Sequence, residues 1–402
     1  MTDGLEPPAV ARPQLMREMN TQVVVDLLRR SGPLSRTDLG RLTGLSKPTV
    51  QQALAGAEKA GLVTLHGHRQ GLPGPAAKLY KIDIAAGHVL ALDVGHEYLR
   101  GAVCDLTGEV YARRALPVQA TSARGRVAEV VDFGRSLLAI AELPGSGLRQ
   151  TVLGSPGFYD PRRDALTLTG GLEGWDSPDV LAALRAEFGA SMVIENDVDL
   201  AAVAEHAAGH AQGVDNVAFV SIGTGVGVGL IINGRLHRGA HGAAGEVAFL
   251  PFPEGGDAQD ARRRGSLEAA ASAAGVVRSA RALGVAGSGS AQDVFDLAQE
   301  GVPAAAAAVA SEADLVAKVL TTVIVVLDPA LIVVGGGIGQ APGFLSAVVE
   351  RVRELAPVMP RITSSALGRE SVVDGALSLG VDRAWTRLLG EDGENGAQER
   401  RD

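Results

Sequence analysis

A single cysteine, Cys104, stands among 402 residues, which excludes an internal disulfide framework and any cysteine-rich zinc site. Aromatic side chains are nearly as scarce, with 2 Trp, 4 Tyr and 8 Phe, so the core must be packed from Ala, Val and Leu. No run reaches the ~18 consecutive apolar residues of a membrane span. Met1 to Arg17 is charged and proline-bearing, unlike the apolar stretch of a secretory leader. A cytoplasmic protein without membrane contact is expected. Glycine, by contrast, is abundant: 52 residues, a fraction near twice the ~7% average, gathered in short loops without the period of collagen. At 46% hydrophobic and 21% charged residues, the chain has ample core material for two or three domains of ~100–200 residues.

The net charge of −9 is unevenly spread: residues 1–85 carry 11 Lys and Arg against 7 Asp and Glu, and the remainder is net −13. A basic head on an acidic body suggests that the first segment faces nucleic acid.

That segment reads as three helices and a hairpin. Asn20 is placed to cap a helix with Val23, Val24, Leu27 and Leu28 at helical spacing, ending near Ser31-Gly32-Pro33. Ser35 caps a second helix with Asp38 three residues on, and Leu39 and Leu42 point inward. After the turn Thr43-Gly44-Leu45, Ser46 caps a third, with Pro48 in its first turn and Val50, Ala53, Leu54 and Ala57 as its buried stripe. Leu62–Leu65 and Lys78–Ile82 are strands around a Gly- and Pro-rich loop. Together these make a winged helix-turn-helix. Lys47, Thr49, Gln51 and Gln52 lie off the stripe. Glutamine amides can pair with adenine edges, and Lys47 sits where a recognition helix enters the major groove. The competing reading is a solvated face on a small packing domain. Agreement among turn, caps and wing favours double-stranded DNA, with Arg36, Ser46, Lys47, Thr49, Gln51 and Gln52 as contacts and Arg69 as the wing residue.

Beyond Ala85, strands and helices alternate. His88–Val94 and Tyr98–Asp105 are strands about the turn Gly95-His96-Glu97; Asn216–Ile222 and Val228–Ile232 repeat the arrangement about Gly223-Thr224-Gly225-Val226-Gly227. Two copies of strand, glycine turn and strand suggest a duplicated fold whose ligand lies between two lobes. Asn196 and Asp197 can cap the helix that follows them or offer acceptors to a ligand's hydroxyls.

Gly154-Ser155-Pro156-Gly157, Glu195-Asn196-Asp197, the Gly223–Gly227 turn, Ala244-Gly245-Glu246 and Gly335-Gly336-Gly337 occur in an order and spacing that resemble the ROK family of repressors and sugar kinases, over roughly residues 15–385. The head, with Pro33-Leu34-Ser35-Arg36 and Thr43-Gly44-Leu45-Ser46, is similar to that of the family's transcriptional regulators. The resemblance implies an α/β chain: an N-terminal winged helix-turn-helix over 15–85, then a two-lobed actin-like (ribonuclease H-like) ATPase fold over 86–390, with lobes roughly 86–200 and 201–390. Residues 1–14 and 391–402 are expected to be disordered tails. It further implies that Asn196, Asp197, Glu246 and Glu268 line a sugar site, with Asp197 at the position of the kinases' base, which takes a proton from the sugar hydroxyl during transfer from ATP.

Departures from the kinases argue against catalysis. Their first phosphate turn reads Asp-x-Gly-Gly-Thr, where this chain has Asp93-Val94-Gly95-His96-Glu97. A like charge 4 Å from phosphate costs about 4 kcal/mol at an effective dielectric near 20. Phe249 stands at the position of the family's zinc-binding histidine, Ser266 at that of a cysteine, and Pro251–Ala261 replaces the cysteine stretch. Phe249 could stack on a sugar face or fill the space the zinc loop vacates. The wing has Gly74-Pro75-Ala76 where the regulators carry Gly-Arg-Pro, and Gly171 replaces an asparagine of the sugar loop. The expectation is a regulator responsive to a sugar or sugar phosphate, with a non-catalytic body, no cofactor and no metal, forming a homodimer or higher homo-oligomer because paired half-sites need two-fold symmetry. The rivals are an active sugar kinase carrying a DNA-binding head, and a constitutive DNA-binding protein whose body is a scaffold.

Overall fold

The computed structural model describes residues 13–69, 77–143, 147–169, 172–251 and 265–389. The wing tip with Gly74-Pro75-Ala76, Gly171, the stretch after Pro251, and nearly all of the expected tails lie outside these residues.

The head comprises α1 (Pro13–Ser31), β1 (Leu34–Ser35), α2 (Arg36–Thr43), α3 (Lys47–Lys59), β2 (Val63–Arg69) and β3 (Ala77–Ile82), its antiparallel sheet ordered β1-β3-β2. Ser35 and Asp38 form a reciprocal cap, Asp38 N donating to Ser35 Oγ at 3.2 Å and Ser35 N to Asp38 Oδ2 at 3.1 Å. The side chain of Ser46 accepts from Thr49 N, and α3 buries Val50, Ala53, Leu54 and Ala57 as its spacing requires. Three expectations are corrected. The first helix begins at Pro13 rather than after Asn20, because Gln14 to Met19 are good helix formers and proline suits a first turn. It buries Val25, while Val23 is exposed; Leu42 is exposed too, since the two-turn α2 turns only Leu39 inward.

The body holds two sheets of one plan. The first contains β4 (His88–Val94), β5 (Tyr98–Asp105), β6 (Val110–Pro117), β7 (Leu148–Ser155) and β10 (Val193–Asn196), ordered β10-β7-β4-β5-β6. Between them come α4 (Ala123–Ile140), the hairpin of β8 (Phe158–Asp160) and β9 (Ala165–Thr167), and α5 (Pro178–Phe188); α6 (Asp197–Ala208) follows β10. The second contains β11 (Val217–Ile222), β12 (Val226–Ile232), β13 (Arg235–Leu236), β14 (Leu331–Gly335) and β15 (Arg361–Ser364), ordered β13-β12-β11-β14-β15. In each, three antiparallel strands are extended by two parallel ones, so the duplication read from the glycine turns is a duplication of topology. Helices α7 (Ser266–Ala270), α8 (Ala273–Ala282), α9 (Ala291–Gln299), α10 (Pro303–Leu327), α11 (Gly336–Gly339) and α12 (Phe344–Leu355) belong to the second lobe. Among the described residues, no helix is long and apolar enough to cross a membrane.

The helix α13 (Ser371–Leu388) leaves the second sheet and returns to the first. It therefore packs with a lobe whose other elements end near residue 200. Two glycines permit the fit: a Cβ at Gly375 would lie 1.8 Å from the Leu200 carbonyl oxygen of α6, and one at Gly380 2.4 Å from the Val89 side chain. One apolar cluster joins Leu28, Tyr80 and Ile82 of the head to Val89 and Cys104 of the first sheet, Leu200 of α6, and Val373, Leu377 and Trp385 of α13. Trp385 Nε1 donates to the Leu106 carbonyl at 2.8 Å, and Asp382 pairs with Arg29 of α1 at 2.7 Å. Gly375→Ala should therefore destabilise the chain by about 1–3 kcal/mol. Gly337→Ala, with nothing within 4 Å of the added atom, should change it by no more than ~0.5 kcal/mol. Calorimetric melting of the two variants checks the contrast.

Candidate functional site

The four acidic and amide residues singled out in the sequence come together between the lobes, where Asp197, Glu246 and Glu268 act on one another's charge. Strand β10 ends at Asn196, whose Oδ1 accepts from the N–H groups of Val198 (2.8 Å) and Asp199 (3.3 Å) and whose Nδ2 donates to the Gly157 carbonyl (2.8 Å). Both ends of this amide are engaged with backbone: Asn196 caps α6 and ties it to the loop after β7. Asp197 follows in the first turn, its Oδ1 also accepting from Val198 N at 2.9 Å. Glu246 comes from the loop after β13. Glu268 comes from α7, and its Oε2 accepts from Val226 N at 3.2 Å, at the turn between β11 and β12.

These carboxyls share one electrostatic field. Burial, reinforced by the charge of Glu268, pushes Asp197 up to about 6. Burial, then the charges of Asp197 and Glu268, push Glu246 up to about 7. Asp93, at the end of β4, is pushed up to about 7 by burial and by Asp197, against the pull of Arg100, whose guanidinium lies 3.3 Å away. Burial also raises Asp199, with Glu195 adding to it. Near neutrality such a site mixes protonated and ionised carboxyls, and so offers both donors and acceptors to a polyhydroxylated ligand. Asp93 and Asp199 join the cluster without a motif of their own; for Asp199 the sequence hint is its clustering with Glu195 and Asp197 around one helix start. Nor does the spacing announce that Glu195 holds Arg238 through Nε (2.8 Å) and Nη2 (2.6 Å), linking β10 to the loop of the other lobe.

On the phosphate side, the turn after β4 is pinned from behind. Buried Arg126 donates to the carbonyls of Gly95 (2.7 Å) and His96 (3.4 Å), and Val118 N donates to that of Glu97 (2.8 Å), leaving the side chains of His96 and Glu97 exposed. Opposite, Gly223 and Gly337 leave an open cradle, a Cβ at Gly223 coming no closer than 3.5 Å to the Gly337 nitrogen. Glu268 lies against the same turn: a Cβ at Gly225 would lie 2.5 Å from its Oε2. The residues do not fit the family's zinc. Phe249 carries no donor and is 42% exposed, so it does not fill the vacated space, and Ser266 Oγ donates to the Leu250 carbonyl at 2.7 Å.

In the head, Lys47, Gln51 and Gln52 are exposed on α3. Ser46 and Thr49 join hydroxyls at 2.8 Å and so serve the helix start. Arg36 donates to Tyr80 OH at 2.7 Å and lies 5.5 Å over that ring, which holds its guanidinium at the head's surface. Arg69 ends β2 opposite Ala77, and its side chain lies outside the described residues. Gln52 lines a shallow groove of about 360 Å³ with Arg17, Asn20 and Lys59. Arg17 escaped the sequence reading because its helix was started too late.

A winged-helix head on a duplicated, kinase-like body is the class that this architecture defines. The ROK family pattern matches residues 89–383 and that of the MarR family residues 24–71; the chain belongs to the ROK family. It is 26% identical over 272 residues to the xylose repressor of Bacillus subtilis (strain 168), covering 67% of this chain and 70% of the repressor. It is 29% identical over 293 residues to a glucokinase of Halalkalibacterium halodurans, covering 69% of this chain and 88% of the kinase. A solved ROK family transcriptional regulator, described as a homologue of the E. coli MLC protein, shares its fold with a TM-score of 0.75 at 22% identity, covering 94% of this chain and 98% of that one.

Replacing Lys47, Gln51 and Gln52 together by alanine should abolish sequence preference on duplex DNA. Gln52→Ala alone should cost about 1–3 kcal/mol at one base pair. Anisotropy titrations on duplexes selected from a random-sequence pool check this; unchanged binding by the triple variant would remove α3 as the reading helix.

Proposed function

We propose that the protein is a sugar-responsive, DNA-binding transcriptional regulator. Residues 15–85 read double-stranded DNA through α3, and residues 86–390 bind a sugar or sugar phosphate between the lobes and join two copies for paired half-sites. The observation that carries this reading is the seating of α6. Its first turn bears Asp197 in the cleft, and its backbone meets that of α13 at Gly375. That helix in turn shares an apolar cluster with the head. A ligand that moves α6 thereby moves the surface on which the head rests. The similarity to a xylose repressor and the MarR-type head support the same conclusion.

The kinase relatives make phosphoryl transfer the reading to weigh against it. Asp197 stands at the motif position of the kinases' base, and the raised pKa that burial gives it would suit one. The nucleotide side argues otherwise at the first phosphate turn, where His96 and Glu97 replace the small residues, while the second turn, Gly223–Gly227, keeps its glycines. We therefore read the body as non-catalytic. With magnesium, ATP and a panel of hexoses and pentoses, ADP release should stay at background. At least one of those sugars or its phosphate should shift DNA affinity by roughly 5–150-fold, and Glu246→Ala should abolish the shift while leaving sugar-free DNA binding intact. Turnover that vanishes in Asp197→Asn would establish the kinase instead.

A further inference from the structure

We propose that the ligand is an anionic sugar whose acidic group is held at the cleft mouth between Arg162 of the first lobe and His241 of the second. The inference deepens the sugar-binding reading and rests on it. The two lobes meet where the tip of the β8–β9 hairpin faces the loop after β13: a Cβ at Gly242 would lie 2.4 Å from the Tyr159 carbonyl oxygen. Four basic side chains gather around this contact. Arg185 is neutralised by Asp164, through Nη2 at 2.6 Å and Nη1 at 2.8 Å, and Arg238 by Glu195. Arg162 and His241 have no such acid. Arg162 Nη1 lies 3.3 Å from His241 Nε2, both residues are exposed, and among the described residues no ion pair involves either one. The nearby Asp160 is committed elsewhere, its Oδ1 accepting the Arg162 backbone N–H at 2.9 Å to shape the turn.

Arg162 Nη1 donates to His241 Nε2 in this contact; a phosphate or carboxylate that displaces this bond accepts from the guanidinium and from a ring N–H of the imidazole together. The cleft behind them supplies the orientation. Asp197, Glu246, Glu268, Asp93 and Asp199 make the interior acidic, so an anionic group is repelled there and attracted at this rim, while neutral hydroxyls meet the carboxyls. The same loops carry both sets: Glu246 lies five residues after His241, and Asn196 bonds the Gly157 carbonyl just ahead of β8. An anion shared by the two side chains would join one lobe to the other, which gives an acidic sugar a hold on the lobes that a neutral one lacks.

The test is calorimetry on the full chain with D-glucose, D-xylose, glucose 6-phosphate, xylose 5-phosphate and D-glucuronate. At least one acidic sugar should bind about 10-fold or more tighter than its neutral parent, with the phosphate and glucuronate arms showing which acid the clip takes. Arg162→Gln and His241→Gln should each bring the acidic form to within about 2-fold of the parent without weakening the parent. Neutral sugars that bind as tightly as their acidic forms, or a preference that survives both variants, would overturn the clip and leave the sugar site standing. Absence of binding by every compound, neutral and acidic, would overturn both.

Discussion

The close approach of α13 to α6 is the constraint on which the rest of this molecule depends. Interior helix glycines cost about 1 kcal/mol each relative to alanine, yet α13 carries two, at Gly375 and Gly380, each facing a neighbour that leaves no room for a Cβ. The gain is a helix that touches three bodies at once: α6 with its cleft-facing first turn, the first sheet, and through Leu377 and Trp385 the cluster shared with the head. Glu205 fastens the approach to this helix, accepting from Ser365 Oγ (2.6 Å) and the N–H groups of Ala366 (2.8 Å) and Leu367 (3.3 Å) at the far end of α6. Cleft and head are thus ends of one packed column, a contiguous arrangement through which two sites can be coupled. The Arg29–Asp382 pair adds little by itself, since Asp382 is largely exposed.

Electrostatics gives the cleft its present character. Carboxyls crowded at the ends of β4, β10 and α7 raise one another's affinity for protons, and Arg100 offsets this only at Asp93. On the nucleotide side, His96 and Glu97 stand exposed on the turn after β4. A neutral polyol meets acceptors and donors in suitable proportion.

Local features of this architecture were legible in the sequence wherever local chemistry decides them. The caps at Ser35 and Ser46, the α3 stripe, and strands β4 and β5 at their observed bounds follow from capping and periodicity. The start of α1 did not, because Asn20 is a good cap in isolation and only the helix formers before it overrule that preference. Strand β1 is two residues long and exists only by pairing with β3, which no local pattern announces. The return of α13 is a long-range event, hinted at by its glycines alone. Of the site, Asn196, Asp197, Glu246 and Glu268 were found through motif resemblance, and Asn196 proved to be a cap as well. Asp93, Asp199 and the Arg162–His241 contact depend on how separate loops meet, which spacing along the chain does not encode.

The most direct test of coupling between cleft and head is reciprocal. Calorimetric titration of the sugar into the full chain, free and then saturated with a duplex that the protein selects, measures the ligand's affinity in both states. The two dissociation constants should differ by the factor by which the sugar changes DNA affinity, about 5–150-fold. Identical constants in the two states would contradict that coupling and leave the body a scaffold for the head.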